Sequence, residues 1–291
     1  MGARILLATL WLLHWLPLAL LAPMGRAIGL LLHALAGARR RVVLRNLELC
    51  FPDWAADRRR ALAREHFQWL GRSIVERCLL WYASPERLKR LIRIEGDVHL
   101  AERSDRAVMW LVPHFMALDV AGAATQLFQK QWVASIYQQQ SDVVMDAAMR
   151  RGRLRFGQGE VFPRSDSAKP LLRAIRRGVA FFNLPDMDFG ARDAAFVPFF
   201  GVPAATLLAP SRMARALNMI VQPVVAHMLP GGQGYVVRFL PPWDGFPSDD
   251  PLTDTARMNR WIEAEIRANP AQYLWVHKRF KTRPPGGPDV Y

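Results

Sequence analysis

Cysteine is nearly absent from this chain of 291 residues, which has two, Cys50 and Cys78. Each lies among apolar residues with helical spacing, and the pair fits neither a disulfide framework nor a set of metal ligands. A disulfide-stabilised secreted domain and a cysteine metal centre are therefore excluded. We expect two buried, reduced thiols, as in a protein that faces the cytosol.

The chain also lacks an internal repeat, a low-complexity block, a glycine-rich nucleotide-binding turn and a nucleic-acid-binding module. Apolar residues make up 51% of the chain and charged residues 22%, a composition that excludes global disorder. The length is sufficient for one large domain or two small ones.

Acidic residues are few relative to basic ones: 25 against 39, which gives a formal net charge of +14. Such an excess implies an anionic partner, either nucleic acid, an acidic membrane surface, an acidic protein or a phosphorylated substrate. Because no nucleic-acid module is present, we expect no nucleic-acid partner and favour the other three.

The N-terminus has a long uncharged run from Ile5 to Ala22, which as a helix would reach ~27 Å, about the thickness of a bilayer core. A cleaved signal peptide is the alternative, because small residues at 33–38 resemble a cleavage site. The run exceeds a usual signal core, however, and Arg26 precedes that site. We predict a retained membrane anchor over 1–25, spanning or interfacial. The arginines at 39–41 predict that the remainder is cytoplasmic.

The rest of the chain is predicted to form one catalytic domain, 26–291, with a helical membrane-proximal segment over 26–91. Short apolar runs then predict strands at 107–113, 132–136, 179–184, 219–227 and 234–240. Helical spacing predicts helices at 116–129, 142–152, 166–177, 205–217 and 252–268. This alternation predicts an α/β fold with a mixed, partly parallel central sheet flanked by helices, and 281–288 is predicted to be irregular.

The most specific local pattern is an apolar strand that ends in Pro113-His114, followed by a helix with Asp119 five residues after the histidine. Functional side chains collect where the strands of an α/β sheet end. A carboxylate on one imidazole nitrogen would leave the other free to take a proton from a hydroxyl. We expect Asp119 to reach back to the His114 ring. The alternative is a core histidine and an aspartate favoured by the helix dipole.

Two further groups are candidates. Arginines at 150, 151, 153 and 155 could bind phosphate through their guanidinium forks or form a solvated helix face. Asp186-x-Asp188 could bind a metal, as in nucleotide-sugar transferases, but we expect no metal. Thr206 is expected to cap a helix or to contact a substrate. His227 and His277 are expected to be structural.

The chain resembles the lipid A late acyltransferases, the lauroyl and myristoyl enzymes, within the larger set of acyltransferases with a His-x4-Asp/Glu motif. The His114-x4-Asp119 motif alone is weak, but several ordered segments along one chain are specific. They are Asn46-Leu47, Cys50-Phe51-Pro52, 152–157, 185–190, 196–201, Pro203-Ala204, Thr206 and 272–284. Aspartate replaces the glutamate of many members, which shortens its reach but keeps the carboxylate.

The resemblance implies an O-acyltransferase of the bacterial inner membrane whose catalytic residues are His114 and Asp119 and whose active site faces the cytoplasm. It implies an acyl carrier protein thioester as donor, a phosphorylated, acylated glucosamine disaccharide as acceptor, and no cofactor. Arg153, Arg155 and Arg164 fall at the family's arginine positions and are expected to contact substrate. Asp186 is expected to pair a nearby arginine or to orient the acceptor.

Three alternatives are carried forward. The first is the same chemistry on another lipid acceptor, such as a lysophospholipid, an aminolipid or a glycolipid. The second is a metal-dependent glycosyltransferase that uses Asp186 and Asp188. The third is a non-enzymatic basic protein that binds membranes or nucleic acid, which would leave the His114 motif without a role.

Overall fold

The computed structural model of the protein describes residues 2–157 and 159–291. Within these residues the strands are β1 (Ile92–Gly96), β2 (Val108–Leu111), β3 (Val133–Tyr137), β4 (Gly159–Pro163), β5 (Ala180–Asn183), β6 (Ala194–Phe199), β7 (Val202–Leu207), β8 (Ile220–Met228) and β9 (Tyr235–Phe239). Seven of them form one sheet in the order β1-β9-β8-β2-β5-β3-β4, and β6 pairs with β7 in a second sheet.

Helices precede and surround the large sheet. They are α1 (Gly2–Leu13), α2 (Leu18–Leu35), α3 (Gly37–Cys50), α4 (Ala56–Val75), α5 (Arg77–Tyr82), α6 (Pro85–Leu91), α7 (Leu100–Arg103), α8 (Leu118–Leu127), α9 (Val143–Leu154), α10 (Lys169–Arg176), α11 (Ala209–Ala216) and α12 (Pro251–Ala268). Short 3-10 turns lie at Pro230–Gly232 and Pro270–Gln272.

The large sheet is parallel except where β8 runs antiparallel to β9. Its central strand, β2, is buried along its whole length, which is why it is continuously apolar rather than alternating. Met109 on β2 is aligned with Phe181 on β5 and with Val221 on β8, and all three side chains lie in one core. The predicted α/β fold with a mixed, partly parallel sheet is confirmed.

The five predicted strands and four of the five predicted helices are confirmed to within three residues at each end, and 281–288 has no regular structure. Cys50 and Cys78 are buried free thiols, as expected. Burial raises the pKa of Cys78 to about 12, so this thiol is unreactive near neutral pH.

The prediction of a helix over 205–217 is wrong in its first part, because β6 and β7 form a hairpin and α11 begins at Ala209. The hairpin turns through Phe200 and Gly201, which have φ angles of 52° and 76°, as a two-residue turn of the primed type requires. The turn was not predicted because phenylalanine, at the first of these positions, has no preference for turns. Thr206 therefore lies in β7 and does not cap a helix.

The uncharged N-terminal run does not form the single helix that was predicted. α1 ends at Leu13 and α2 begins at Leu18, because Pro17, with φ of −63°, starts a new helix and lacks an amide hydrogen. By length and composition, Leu18–Leu35 could cross a membrane. The boundary predicted at residue 25 falls inside this helix.

Candidate active site

The two strands at the centre of the sheet bring His114 and Asp186 together. β2 and β5 are adjacent and parallel, and each residue lies three positions beyond the end of its strand. The pairing continues past the strands, since the Val112 amide donates to the Asn183 carbonyl over 2.9 Å. The carboxyl ends of both strands thus open onto one cleft, as is usual for functional sites in parallel sheets.

Asp186 contacts His114 through both carboxylate oxygens. Nδ1 of the ring donates to Oδ1 over 2.6 Å, and the His114 amide donates to Oδ2 over 2.9 Å. The Asp186 side chain is 0% exposed, whereas 12% of the His114 side chain is exposed. This contact places the ring proton on Nδ1 and leaves Nε2 as the basic nitrogen.

The charge state of Asp186 follows from the same contacts. Burial by itself would raise the pKa of this carboxyl, but the charge of His114 and its two hydrogen bonds hold the pKa below the usual range. Asp186 is therefore a buried carboxylate at neutral pH. We expected Asp186 to pair an arginine or to orient the acceptor: its partner is the histidine instead of an arginine, and a role in orienting the acceptor stays a prediction.

Asp119 does not contact the His114 ring, contrary to the expectation from the motif. Its two oxygens accept from Nη2 of Arg77 over 2.9 Å and from Nη2 of Arg153 over 3.1 Å. The chain that leads from His114 to α8 is hydrogen-bonded to the segment that follows α12: the Leu274 amide donates to the His114 carbonyl. α8 then carries the aspartate toward α5 and α9. Burial would raise the pKa of Asp119, but both guanidinium charges hold it below the usual range.

A cavity of about 660 Å³ opens beside His114, and we call it the His114 cleft. Its walls combine apolar side chains, such as Phe181 and Met187, with several basic ones. The basic residues are Arg164, Arg192 and Lys281. The volume and the mostly apolar lining suit a ligand with a long hydrocarbon portion and an anionic group.

The predicted arginines lie in different places. Arg164 lines the His114 cleft and stacks 4.1 Å above the ring of Phe189. Arg153 pairs with Asp119 and lines a narrower pocket of about 60 Å³ that shares Ile136, Phe182 and Leu184 with the cleft.

Arg155 lines neither of these spaces. Its guanidinium donates to the carbonyls of Leu80 and Ala83, over 3.0 and 2.6 Å, at the end of α5. This contact gives Arg155 a role in the fold, while its contact with substrate stays a prediction.

His277 also lines the His114 cleft, a position that sequence reasoning did not indicate. Its Nε2 accepts a hydrogen bond of 3.0 Å from the Asp188 amide. Burial and the charge of His114 lower the pKa of His277 to about 4, so this ring is neutral near pH 7. Arg192 and Lys281 were missed as well: Lys281 lies among Lys278, Arg279 and Arg283, and no sequence pattern separates a basic residue that lines a cleft from a solvated one.

The donor set of Asp186-x-Asp188 does not fit a metal site. The carboxylate of Asp188 accepts from the Gly190 amide over 2.9 Å and from the Thr282 amide and hydroxyl over 2.6 and 2.7 Å. Since both oxygens of Asp186 accept from His114, each of the two carboxylates already accepts a protein hydrogen bond at both of its oxygens. Asp188 instead ties the loop after β5 to the C-terminal segment.

A histidine held at Nδ1 by a buried carboxylate, with its other nitrogen free beside a cleft, is the arrangement of a general base. The fold and the site therefore define an α/β enzyme that can activate a hydroxyl or a water molecule. The model of the bacterial lipid A biosynthesis acyltransferase family matches residues 2–282. The chain belongs to this family and is an acyltransferase.

Individual proteins that are similar to the chain support the same family. The chain is 32% identical to the lipid A biosynthesis lauroyltransferase of Escherichia coli (strain K12), over 98% of this chain and 93% of the relative. It is 31% identical to the palmitoleoyltransferase of the same organism, over 98% and 92%. It is also 32% identical to the myristoyltransferase, over 92% and 81%. The resemblance stated from the sequence is confirmed.

Proposed function

We propose that this chain is a lipid A secondary acyltransferase in lipopolysaccharide biosynthesis. It moves a fatty acyl group from an acyl carrier protein thioester to a hydroxyl of a phosphorylated, acylated glucosamine disaccharide. The observation that carries the proposal is the buried His114–Asp186 pair beside a large, partly basic cleft in a chain that matches this family nearly end to end.

His114 acts as the general base. Its Nε2 takes the proton of the acceptor hydroxyl while that oxygen attacks the thioester carbonyl, and a tetrahedral oxyanion forms. Collapse of this intermediate forms the ester and breaks the carbon–sulfur bond. The leaving thiolate takes the proton back from the imidazolium. Asp186 stabilises the imidazolium between the two steps, since its carboxylate contacts Nδ1 and has no other cation bonded to it among the described residues.

The predicted role of Asp119 is revised in this proposal. Its carboxylate holds Arg77 and Arg153, so it orients an arginine rather than the base. The guanidinium of Arg153, fixed in this way at the narrower pocket, is our candidate to stabilise an oxyanion or an acyl carrier phosphate. Asp119 is thus a positioning residue that acts through Arg153.

The basic side chains of the His114 cleft supply the second part of substrate recognition. Arg164, Arg192 and Lys281 are on the same cavity as His114 and suit a glucosamine phosphate. The overall charge of +14 favours both the acidic carrier protein and an anionic membrane. We place the enzyme at the inner membrane, with the N-terminal helices as its membrane contact and the catalytic domain in the cytoplasm, where acyl carrier protein thioesters are found.

The test is mass spectrometry of lipid A from cells that lack the protein and from the same cells expressing it or its variants. The wild-type chain should restore lipid A heavier by one acyl chain. His114→Ala should reach wild-type levels in the membrane fraction yet fail to restore the heavier species, because a general base contributes roughly 100- to 10,000-fold in rate.

His99→Ala is the matched control, because His99 is exposed and pairs with Glu102 outside the cleft. It should behave as the wild type. Unchanged lipid A together with an altered phospholipid, aminolipid or glycolipid would transfer the chemistry to another acceptor. Full restoration by His114→Ala would disprove the mechanism.

A further inference from the structure

The helices α1 and α2 carry an apolar surface that the folded chain leaves uncovered. Of the fifteen large apolar side chains that are exposed in the described residues, ten lie between Ile5 and Leu35. On α2 they recur every three or four residues and form one stripe: Leu20, Met24, Ile28, Leu31 and Leu35. Trp11 and Trp15 extend this surface around the corner between the two helices.

The opposite side of α2 is part of the folded domain. It packs antiparallel along α4, where a Cβ on Gly29 would lie 2.0 Å from the carbonyl oxygen of Phe67. A Cβ on Gly71 of α4 would lie 2.2 Å from the carbonyl oxygen of Gly25. Leu21 is fully buried and shares a core with the side chains of the large sheet. α2 therefore cannot leave α4 without opening the domain.

This packing is incompatible with a transmembrane α2. Arg64 of α4 is exposed and lies near His33 of α2, and Arg26 lies at the middle of α2, where it donates to Gln68. A membrane-spanning α2 would draw these groups into the hydrocarbon, and each arginine at the bilayer centre disfavours insertion by roughly 100-fold. α1, with 12 residues, extends about 18 Å and is too short to span.

The charges around the stripe identify what covers it. The first acidic residue of the chain is Glu48, whereas six arginines precede it: Arg4, Arg26, Arg39, Arg40, Arg41 and Arg45. An apolar stripe flanked by arginines and bordered by tryptophans fits the boundary between headgroups and acyl chains of an anionic bilayer. Arg87 fixes the corner of the two helices by donating to the Leu16 carbonyl over 2.5 Å.

We propose that α1 and α2 lie in the plane of an anionic lipid surface and that the chain does not cross the membrane. The stripe enters the acyl boundary, and α4 faces the water side. α1 and α5 both pack against α9, the helix that carries Arg153, so this placement holds the narrower pocket close to the lipid. This mode of membrane binding is independent of which lipid is acylated.

The decisive experiment compares the two ends of this segment in the full-length protein. Gly2→Cys and Ala38→Cys place single reactive thiols at exposed positions, and the native cysteines are buried. A membrane-impermeant maleimide is applied to spheroplasts and to inside-out vesicles. Both positions should react from the cytoplasmic side alone. Reaction of the residue-2 thiol from the opposite side, or from neither side while it reacts in detergent, would overturn the proposal.

A second measurement tests the surface itself. Purified protein is sedimented with vesicles of phosphatidylglycerol and phosphatidylethanolamine, and with vesicles of phosphatidylcholine. Leu12→Glu and Leu31→Glu should each weaken binding to the anionic vesicles about tenfold or more. Leu252→Glu, at a similarly exposed leucine on α12, should leave binding unchanged. Equal effects of the three substitutions, with circular dichroism unchanged in each, would show that the stripe is not the lipid contact.

Discussion

Two aspartates near the active site differ in what they do with their charge. Asp186 is completely buried, and its one ion-pair partner among the described residues is the ring of His114, so no permanently charged side chain contacts its carboxylate. Asp119 is 24% exposed and lies between two permanently charged arginines, so its charge is already neutralised. A carboxylate can stabilise an imidazolium that forms during the reaction only if its charge is still available.

The comparison shows that distance along the chain is a poor guide to catalytic partnership. Asp119 is five residues from His114 and Asp186 is seventy-two, yet the more distant residue makes the contact. In the mechanism that we propose, the motif around His114 thus joins two functions: His114 is the base and Asp119 positions an arginine. The third residue, which orients the base, comes from the neighbouring strand.

The largest expected effect comes from Asp186→Asn. An asparagine would still accept from the His114 amide, but its amide nitrogen would face Nδ1 and move the ring proton to Nε2. That tautomer cannot act as a base, so we expect kcat to fall by on the order of 1,000- to 10,000-fold with little change in KM. Initial rates with purified protein, acyl carrier protein thioester and acceptor measure this loss.

Asp119→Asn is the counterpart in the same assay and should lose much less of kcat than Asp186→Asn. The opposite order of effects would return Asp119 to the role that the motif first suggested. For either interpretation, both variants must keep wild-type secondary structure and remain folded at the assay temperature.

A smaller effect is expected from arginine-to-lysine substitutions, which keep the charge but remove the fork. At Arg153 and Arg164, lysine should raise KM for the phosphorylated acceptor, or lower kcat where Arg153 contacts the oxyanion, by about tenfold. Arg173→Lys, on the exposed side of α10, is the control and should be silent. Lysine at 155 should chiefly lower thermal stability, because Arg155 ties two carbonyls of the fold.

Comparison of phosphorylated and dephosphorylated acceptors separates recognition from general attraction. If lysine at 153, 164 and 173 leaves KM and kcat equally unchanged, the basic side chains act only through their general electrostatic attraction. In that case no guanidinium binds a phosphate with two hydrogen bonds.

The smallest expected effect concerns stability and pH. The pKa of Asp119 is lower in the folded than in the unfolded state. Its ionised carboxylate therefore stabilises the fold at pH values above the unfolded pKa of ~3.9, and this stabilisation is lost as the pH falls through the folded pKa. Asp119→Asn should therefore lower the unfolding free energy by about 1–2 kcal/mol at pH 7, and the difference from wild type should shrink below about pH 4. Urea unfolding at several pH values measures it, and a difference that grows on acidification would contradict the ion-pair assignment.

Much of the fold follows from the sequence because buried parallel strands leave a strong local signal. Their two covered faces require continuous apolar runs, and the five predicted runs are strands of the sheet. β1, β4, β6 and β7 were not predicted, because they are only partly buried, and the hairpin of β6 and β7 turns at Phe200 rather than at a residue with a turn preference.

The sequence by itself determined the fold class, the family and the position of His114 at the end of a buried strand. The tertiary structure decided the partner of His114, since only the parallel pairing of β2 with β5 brings Asp186 beside it. It also decided the environment of α2, because the glycines that allow its contact with α4 are about forty residues apart. Local preferences fix strands and helices, whereas contacts between distant segments depend on packing that no single stretch of sequence encodes.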